Sequence, residues 1–304
     1  MMSDYQMPTD LPVDPEEALA VAAAALDASW EPFINGVGAQ AARFKESRND
    51  FATEVDLSLE RSITDALQQG TGVEVHGEEY GGPPVDSGTV WVLDPVDGTA
   101  NYSLGIPDVA ILAALIHEGQ PVIGLTWLPL LGMRFTSLAG GPLHFNGQPL
   151  EPMVDSSIRD VAVGVGSMNT GNRGTYTPEF RREVVEILGI RAARTRKFGS
   201  TGVDLSYVAS SRLSAAVTFG HYAWDNAAGA CHVRSAGGIV TDVAGTEWDI
   251  NSTSLIAASP RAHDEVRTLI RELGEPTDIT GPGRDRENSP REAERTPSEG
   301  ENQK

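Results

Sequence analysis

Two apolar segments in the middle of the chain constrain the fold most. Residues 109–117 and 121–127 are almost wholly apolar, and only Glu118, Gly119 and Gln120 separate them. A short connector of turn-forming residues between two apolar runs predicts an antiparallel hairpin. With 304 residues, of which 40% are hydrophobic, the chain can bury such a hairpin in a sizeable core. Its length fits one large domain or two packed subdomains.

Helices and further strands surround this hairpin in both halves of the chain. Asp14 and Pro15 are typical of a helix start, and the alanine-rich stretch behind them predicts a helix that continues to about residue 34. Further helices are predicted at about 54–69, 178–188, 200–210, 225–236 and 261–273. Strands are predicted at 73–76, 90–93, 132–138, 142–145, 161–165, 214–219 and 239–243.

Composition sets the two ends of the chain apart from its middle. Residues 1–13 are predicted to be a flexible leader. Residues 276–304 are charged, rich in Pro and Gly and nearly without aliphatic side chains. Such a segment cannot bury enough apolar surface to order itself, so we predict a disordered tail.

Charge and cysteine content exclude several functional classes. The net charge is −20, and residues 1–150 hold 21 acidic and five basic residues. This balance argues against nonspecific binding to a nucleic acid polymer or an anionic membrane, because both need a cationic surface. It suits a protein that collects divalent cations, although a solvated acidic surface gives the same count. The single cysteine, Cys231, excludes an intrachain disulfide and indicates a reducing, cytoplasmic location. The sequence contains no run of 18 apolar residues, so it predicts no membrane-spanning helix.

The segment DPVDGT at residues 94–99 carries the strongest chemical signal. An apolar strand ends there in two carboxylates three residues apart, Asp94 and Asp97, and Gly98 permits a tight turn. Two like charges beside a buried strand are costly unless a cation compensates them. Carboxylate and carbonyl ligands favour a hard ion such as Mg²⁺, Mn²⁺ or Ca²⁺. The alternative is an ordinary turn with solvated acids.

Three more acidic positions strengthen the metal hypothesis. Glu78 follows another predicted strand end, and Asp225 opens a helix of small residues. Each alone is more typical of an exposed acid or a helix cap. Together with DPVDGT they predict a site for two cations that stabilises in-line phosphoryl transfer. Asp56 opens a helix, and it could accept a hydrogen bond from the Thr99 hydroxyl, which would then orient water.

The chain resembles the inositol monophosphatase family of metal-dependent, lithium-sensitive sugar phosphatases. The matching motifs are TEVD at 53–56, GEE at 77–79, WVLDPVDGTANY at 91–102, GST at 199–201, WDNAAG at 224–229 and AGG at 236–238. They occur in the family's order and span roughly residues 15–273. The alanine-rich composition and VHGEE at 75–79 most resemble the actinobacterial branch of inositol-1-phosphate phosphatases.

The resemblance implies a layered α/β/α/β/α sandwich with the metals between its two halves. Residues 14–152 would form an α+β half that carries metal-binding carboxylates, and residues 153–275 an α/β half that completes the active site. It implies that Glu78, Asp94 and the Val96 carbonyl bind a first metal, and that Asp94, Asp97 and Asp225 bind a second. The metals would be two or three Mg²⁺ ions, with Mn²⁺ as a possible substitute. A homodimer is the family habit.

The resemblance also implies catalytic and substrate roles. Glu78 and Thr99, backed by Asp56, would activate the attacking water, and Lys45 would lie near the metals. Substrate contacts would come from Glu78, Val96, Asp97, Gly98, Thr99, Gly199, Ser200, Thr201, Thr218 and Asp225.

Thr218 departs from the family pattern, because inositol-specific members carry there a glutamate that binds sugar hydroxyls. The expected reaction is Mg²⁺-dependent hydrolysis of a small phosphorylated polyol, chiefly myo-inositol 1-phosphate. Fructose-1,6-bisphosphate, histidinol phosphate and 3′-phosphoadenosine 5′-phosphate remain alternative substrates. An inactive metal-binding regulatory homologue is the alternative outside enzymes.

Overall fold

The computed structural model describes residues 5–47, 50–167 and 176–274. The helices are α1 Pro15–Ala28, α2 Trp30–Asn35, α3 Glu54–Thr71, α4 Thr99–Leu104, α5 Pro178–Arg191, α6 Thr201–Ala209, α7 Ala223–Ser235 and α8 Pro260–Glu272. The strands are β1 Arg43–Ser47, β2 Asp50–Ala52, β3 Val75–Gly77, β4 Thr89–Asp97, β5 Ala110–His117, β6 Gln120–Leu128, β7 Met133–Leu138, β8 His144–Phe145, β9 Gln148–Pro149, β10 Val163–Val165, β11 Thr195–Arg196, β12 Ala215–Thr218, β13 Ile239–Thr241 and β14 Leu255–Ala258. In the described ranges, no helix combines the length and apolarity that a membrane crossing needs.

The first sheet has seven strands in the order β3-β4-β5-β6-β7-β8-β9. Only the β3–β4 pair is parallel; the other pairs are antiparallel. The predicted central hairpin is confirmed: His117 pairs with Gln120 across a two-residue turn. Glu118 and Gly119 have φ values of 47° and 75°, which gives this turn the twist that hairpin strands need.

The second sheet has five strands in the order β11-β10-β12-β14-β13. β10 runs parallel to β11 and β12, whereas β14 runs antiparallel to β12 and β13. The sequence did not predict β14, since a four-residue apolar run does not by itself distinguish a strand from a buried helical turn.

The two sheets alternate with three helical layers. Successive side chains of β5 point to opposite faces of the first sheet, and all eight positions are buried. Ile111 and Leu115 join the core beneath α1 and α3, while Leu112 and Ile116 join the core formed with α6 and α7. The far face of the second sheet is covered by α5 and α8. The predicted α/β/α/β/α sandwich is therefore confirmed.

The first predicted helix is in fact two helices. α1 ends at Ala28, and α2 begins at Trp30. Pro32 has no N–H to bond the Ala28 carbonyl, so the regular ladder cannot pass this point. The Ser29 hydroxyl instead donates to the Leu26 carbonyl at 2.6 Å.

The next helix runs two residues beyond the predicted end. Gly70 lies inside α3, and Gly72, at φ 70°, supplies the left-handed cap. A Cβ at Gly70 would lie 2.5 Å from a Val21 methyl carbon. Gly70 therefore permits close packing of α1 on α3 rather than ending the helix.

Part of the predicted leader contacts the core. The Tyr5 hydroxyl donates to the Pro121 carbonyl at 2.6 Å, and Met7, Leu11 and Val13 pack partly buried against the α1–α3 core. These contacts attach residues 5–13 to the first sheet. The predicted tail, residues 276–304, falls outside the described residues, and the proposed division into halves stays a prediction.

Candidate active site

The DPVDGT segment ends β4 with both carboxylates inside the protein. Asp94 and Asp97 are 2% and 7% exposed. The pairing of β4 with β5 is interrupted between them, so the strand bends where they leave it. Gly98 then takes φ 90°, and a Cβ there would lie 3.2 Å from the Gly199 carbonyl oxygen and from the Ser200 Cβ. This glycine lets the start of α6 approach the end of β4.

Asp97 is held by the first turn of α6. Its carboxylate accepts the Ser200 hydroxyl at 2.5 Å and the backbone N–H groups of Thr201 and Gly202 at 3.1 and 2.6 Å. The Asp97 pKa is raised to about 6 in all, because burial raises it more than these three bonds lower it, and the negative charge of Glu78 also raises it. The sequence motifs DPVDGT and GST therefore meet in one place.

Asp94 is the point on which the other acids converge. One of its oxygens accepts the Val96 N–H at 2.9 Å. Burial raises its pKa well above the ordinary value, and the charges of Glu78, Asp97 and Asp225 raise it further. These three acids come from the end of β3, the end of β4 and the first turn of α7. We call the four carboxylates of Glu78, Asp94, Asp97 and Asp225 the acidic mouth.

The acidic mouth has the donor chemistry of a hard cation, but its ligands are not yet arranged around one. Among residues 5–47, 50–167 and 176–274, no three acidic, His or Cys side chains stand in a ready metal-binding arrangement. Both Asp97 oxygens are engaged by α6. The mutual repulsion that raises the Asp94 pKa is nevertheless the condition that a divalent cation relieves.

Thr99 and Asp56 stand beside the acidic mouth as predicted from the sequence. The Thr99 hydroxyl lies 3.3 Å from an Asp56 carboxylate oxygen and 3.1 Å from the Val96 carbonyl oxygen. Asp56 is 1% exposed, and its other oxygen accepts the Thr53 N–H in a capping box that starts α3. Burial raises the Asp56 pKa, Thr53 lowers it, and Glu78 raises it. Asp56 thus links the start of α3 to the acidic mouth.

The three residues of GST have different surroundings. Gly199 is exposed at φ 80°, whereas Ser200 and Thr201 are buried against Asp97. The Asn101 side chain donates to the Phe198 and Asp108 carbonyls, each at 2.7 Å, and fixes the approach to this segment.

Thr218 ends β12 next to Asp225. It is 2% exposed, and its hydroxyl accepts the Gly220 N–H at 3.1 Å. A Cβ at Gly220 would lie 3.3 Å from this hydroxyl and 3.8 Å from a carboxylate oxygen of Asp225. Lys45 lies in β1, and its side chain falls outside the part of the chain that the structure describes.

Glu60 is a site residue that the sequence reasoning missed. Its two oxygens accept the N–H groups of Glu79 and Tyr80, both at 2.8 Å. Its pKa is raised to about 7 in all, because burial raises it more than the two bonds lower it, and the charges of Glu79 and Glu78 also raise it. Its spacing could have revealed it, because residues four apart on a helix share a face, and Glu60 is four residues after Asp56.

A stack of aromatic rings also lies beside the acidic mouth, between β3 and the start of α7. His76 stacks on Trp224 with centroids 5.6 Å apart, and Tyr222 stacks on the same indole at 4.5 Å. His76 lies two residues before Glu78, and Trp224 directly precedes Asp225. The stack therefore sets how the end of β3 faces the start of α7.

Comparisons with known proteins agree with this geometry. Residues 12–275 match the model of the inositol monophosphatase family. The chain is 46% identical over 269 residues to "Inositol-1-monophosphatase ImpA" of Mycolicibacterium smegmatis, covering 88% of this chain and 97% of that protein. It is 49% identical over 257 residues to "Probable inositol 1-monophosphatase ImpA" of Mycobacterium tuberculosis, covering 84% and 95%. The solved Thermotoga maritima IMPase superposes with a TM-score of 0.75 at 27% identity, covering 84% of this chain and 97% of that one.

Proposed function

Because the chain belongs to the inositol monophosphatase family, and is thus a phosphoric monoester hydrolase, we propose that it hydrolyses myo-inositol 1-phosphate to myo-inositol and phosphate. The observation that carries the proposal is the convergence of Glu78, Asp97 and Asp225 on buried Asp94. The names of the two ImpA relatives support inositol 1-phosphate as the substrate.

The acidic mouth would hold two or three Mg²⁺ ions, or Mn²⁺ in their place. Asp94 would contribute to two of them, Glu78 and the Val96 carbonyl to the first, and Asp97 and Asp225 to the second. When bound, these cations supply positive charge that offsets the carboxylates and stabilises charge on the phosphoryl group and the leaving oxygen.

The attacking water would be positioned by Thr99 with Glu78. The Thr99 hydroxyl has one proton, and both of its near neighbours, Asp56 and the Val96 carbonyl, are acceptors. With its proton directed to one of them, its oxygen can only accept. A water that donates to this oxygen turns a lone pair toward the substrate, which is the orientation that hydrolysis needs.

The phosphate and the alcohol would occupy opposite sides of the acidic mouth. The backbone N–H groups of Gly98 and Thr99 would bind phosphate oxygens. Gly199 would line the alcohol side through its exposed backbone, while Ser200 and Thr201 contribute chiefly by holding Asp97. Thr218 lacks the charge that would select inositol strongly, so we propose tolerance of related phosphorylated polyols.

Three further properties belong to the same proposal. The protein would form a homodimer and be inhibited by lithium. It would work in a reducing cytoplasm, because its one cysteine, Cys231, is free and buried.

A panel of phosphorylated metabolites tests the function directly. We expect Mg²⁺-dependent phosphate release with the highest kcat/KM for myo-inositol 1-phosphate, and loss of activity with a chelator. The panel includes fructose-1,6-bisphosphate, histidinol phosphate and 3′-phosphoadenosine 5′-phosphate. A higher kcat/KM for one of these three compounds would make that compound, and not myo-inositol 1-phosphate, the assigned substrate. Absence of turnover on every compound, in a folded protein that binds Mg²⁺, would instead favour the regulatory homologue.

A further inference from the structure

Glu60 is a buried carboxylate of α3 whose two oxygens are both used on one loop. It is 1% exposed. One oxygen accepts the Glu79 N–H and the other accepts the Tyr80 N–H, each at 2.8 Å. Two neighbouring backbone donors on one carboxylate form a charge-assisted pair that fixes the direction of the chain between them.

The rest of this loop is fixed by backbone bonds. Gly77 and Gly81 exchange N–H···O bonds of 3.0 Å and close its base. The Glu78 N–H donates to the Leu93 carbonyl at 3.0 Å, and Leu93 directly precedes Asp94. Glu60 therefore supplies a side-chain anchor for the N–H groups of the loop tip, at residues 79 and 80.

The sequence around the loop makes room for Glu60. A Cβ at Gly77 would lie 2.0 Å from one Glu60 oxygen and 2.3 Å from its carboxyl carbon. Any larger residue at position 77 would push the carboxylate away from the loop. The glycine of the GEE motif thus leaves the space that the Glu60 carboxylate occupies.

An anchor is needed here because Glu78 stands among like charges. The charge of Glu78 raises the pKa of Asp94, Asp97 and Asp56, so these groups repel one another whenever they are ionised. Glu78 lies on the turn after β3, whereas Asp94 and Asp97 lie on a strand and Asp56 on a helix. The position of Glu78 among these acids therefore depends on how the turn is held.

We propose that Glu60 is a positioning residue that holds Glu78 at the cation site of the proposed phosphatase. It touches neither cation nor substrate, and it acts through the backbone of residues 79 and 80. The inference rests on the proposed function. Residues that orient metal ligands in this way typically contribute 10- to 100-fold to metal affinity or activity.

Glu60→Gln tests the proposal in the full-length protein. The Gln oxygen can accept one N–H, but its NH₂ group faces the other N–H, and two donors cannot bond. We expect about tenfold weaker Mn²⁺ binding by calorimetry and about tenfold faster hydrogen exchange at the Glu79 and Tyr80 amides. The control Glu74→Gln makes the same chemical change at an exposed position before β3, and it should alter neither measurement.

A purely structural role would give a different result. It would lower the melting temperature and speed exchange while leaving Mn²⁺ affinity at the wild-type value, and that outcome overturns the proposal. Unchanged exchange at residues 79 and 80 overturns it as well. If Glu60→Gln does not fold, Glu60→Asp decides: the shorter carboxylate cannot reach both amides, and weakened Mn²⁺ binding is expected again.

The measurements also separate this inference from the proposed function. Exchange and calorimetry are read without substrate, whereas wild-type hydrolysis of myo-inositol 1-phosphate tests the function. A wild type that binds Mn²⁺ but hydrolyses nothing would remove the function and leave the role of Glu60 in cation binding intact.

Discussion

The two ends of α7 treat buried polar groups in opposite ways. At its first turn Asp225 joins the acidic mouth, where burial and like charges raise the Asp94 pKa. In its last turn His232 joins Thr126, Ser137 and Cys231, which we call the histidine cluster. His232 is fully buried, with its ring nitrogens 2.7 Å from the Ser137 hydroxyl and 3.0 Å from the Thr126 hydroxyl.

The histidine cluster is complete without a ligand, and the acidic mouth is not. In the cluster the Ser137 hydroxyl also lies 3.1 Å from the Cys231 sulfur, so neutral donors and acceptors satisfy one another. In the mouth the dominant neighbours of Asp94 are other carboxylates. A closed neutral set serves packing, whereas crowded acids indicate a missing positive charge. Four substitutions test this contrast.

The largest effect is expected at the centre of the acidic mouth. Asp94→Asn should abolish measurable turnover, because the residue is proposed to contact two cations. The raised pKa of Asp94 means that its ionised form costs stability above about pH 4. The variant should therefore be at least as stable as wild type at pH 7 without metal.

Turnover with saturating Mg²⁺ and urea unfolding measure the two effects. Asp86→Asn, at an exposed position between β3 and β4, is the control. Near-normal activity of folded Asp94→Asn would remove the two-cation assignment.

The histidine cluster should show its neutrality in acid. Burial lowers the His232 pKa to about 3, so between pH 6.5 and 3 the unfolded chain binds a proton that the folded chain refuses. Stability from this group is full above pH 6.5 and decreases as the pH falls. The loss should reach about 2 kcal/mol by pH 5.

His232→Gln lacks this titration. Urea unfolding at several pH values should give wild type a higher free energy of unfolding than the variant at pH 7. The difference between the two free energies should shrink toward pH 5. His263 also has a lowered pKa, of about 4. Because both proteins contain His263, its contribution cancels in the difference between their free energies of unfolding. A difference in stability that stays constant with pH would mean that His232 has the same pKa in the folded and unfolded chains, so that burial does not lower it.

The contrast between these regions was only partly visible in the sequence. DPVDGT, GEE and WD are local motifs, so Asp94, Glu78 and Asp225 were identified before the structure brought them together. Thr99 and Asp56 also lie in local motifs, DPVDGT and TEVD, so a hydrogen bond between them could be predicted. The five layers followed from the family resemblance, while the apolar runs gave the central hairpin.

What the sequence did not reveal depends on contacts between distant segments. Glu60 acts on residues about 20 positions away. Its spacing from Asp56 places the two acids on one helix face, but it does not identify the loop that Glu60 binds. His232 lies 95 residues from Ser137. The break at Ser29 was missed because the high helix propensity of alanine outweighed the one missing N–H of Pro32.

Adding a charge beside the acidic mouth should have an intermediate effect. Thr218 and Asp225 lie against the same glycine, Gly220, so Thr218→Glu places another carboxylate near the proposed alcohol side. A charge-assisted bond to a ring hydroxyl should raise the preference for myo-inositol 1-phosphate over simpler phosphate esters about tenfold at best. Burying the carboxylate at this 2% exposed position costs part of that gain.

The ratio of kcat/KM values for myo-inositol 1-phosphate and a simple ester measures this preference. Thr218→Gln, of similar size but neutral, separates charge from bulk and should give little gain. A wild type that is already strictly inositol-specific, with the preference lowered by Glu, would show that position 218 does not face the sugar.

The smallest effect is expected at Asp204, which resembles the acidic mouth in one respect only. It is 2% exposed, and among residues 5–47, 50–167 and 176–274 neither carboxylate oxygen has a hydrogen-bond partner. Burial, and next the charge of Asp97, raise its pKa well above the ordinary value. One oxygen lies 2.6 Å from where a Gly164 Cβ would be, so the group faces strand backbone. We interpret Asp204 as a carboxyl kept neutral by its surroundings.

Asp204→Asn tests that interpretation through its pH dependence. Folding at pH 7 must supply a proton to Asp204, which costs about 1.4 kcal/mol for each unit by which the folded pKa exceeds the unfolded one. Asn is always neutral and leaves its polar atoms equally unpaired. The variant should therefore be more stable than wild type at pH 7, and this advantage should vanish below pH 4. Urea unfolding across this range, with exposed Asp65→Asn as control, measures it. An advantage that is constant with pH would show that Asp204 is ionised in the folded protein, and Asp204 would then belong with the acidic mouth as a charge that needs a cation.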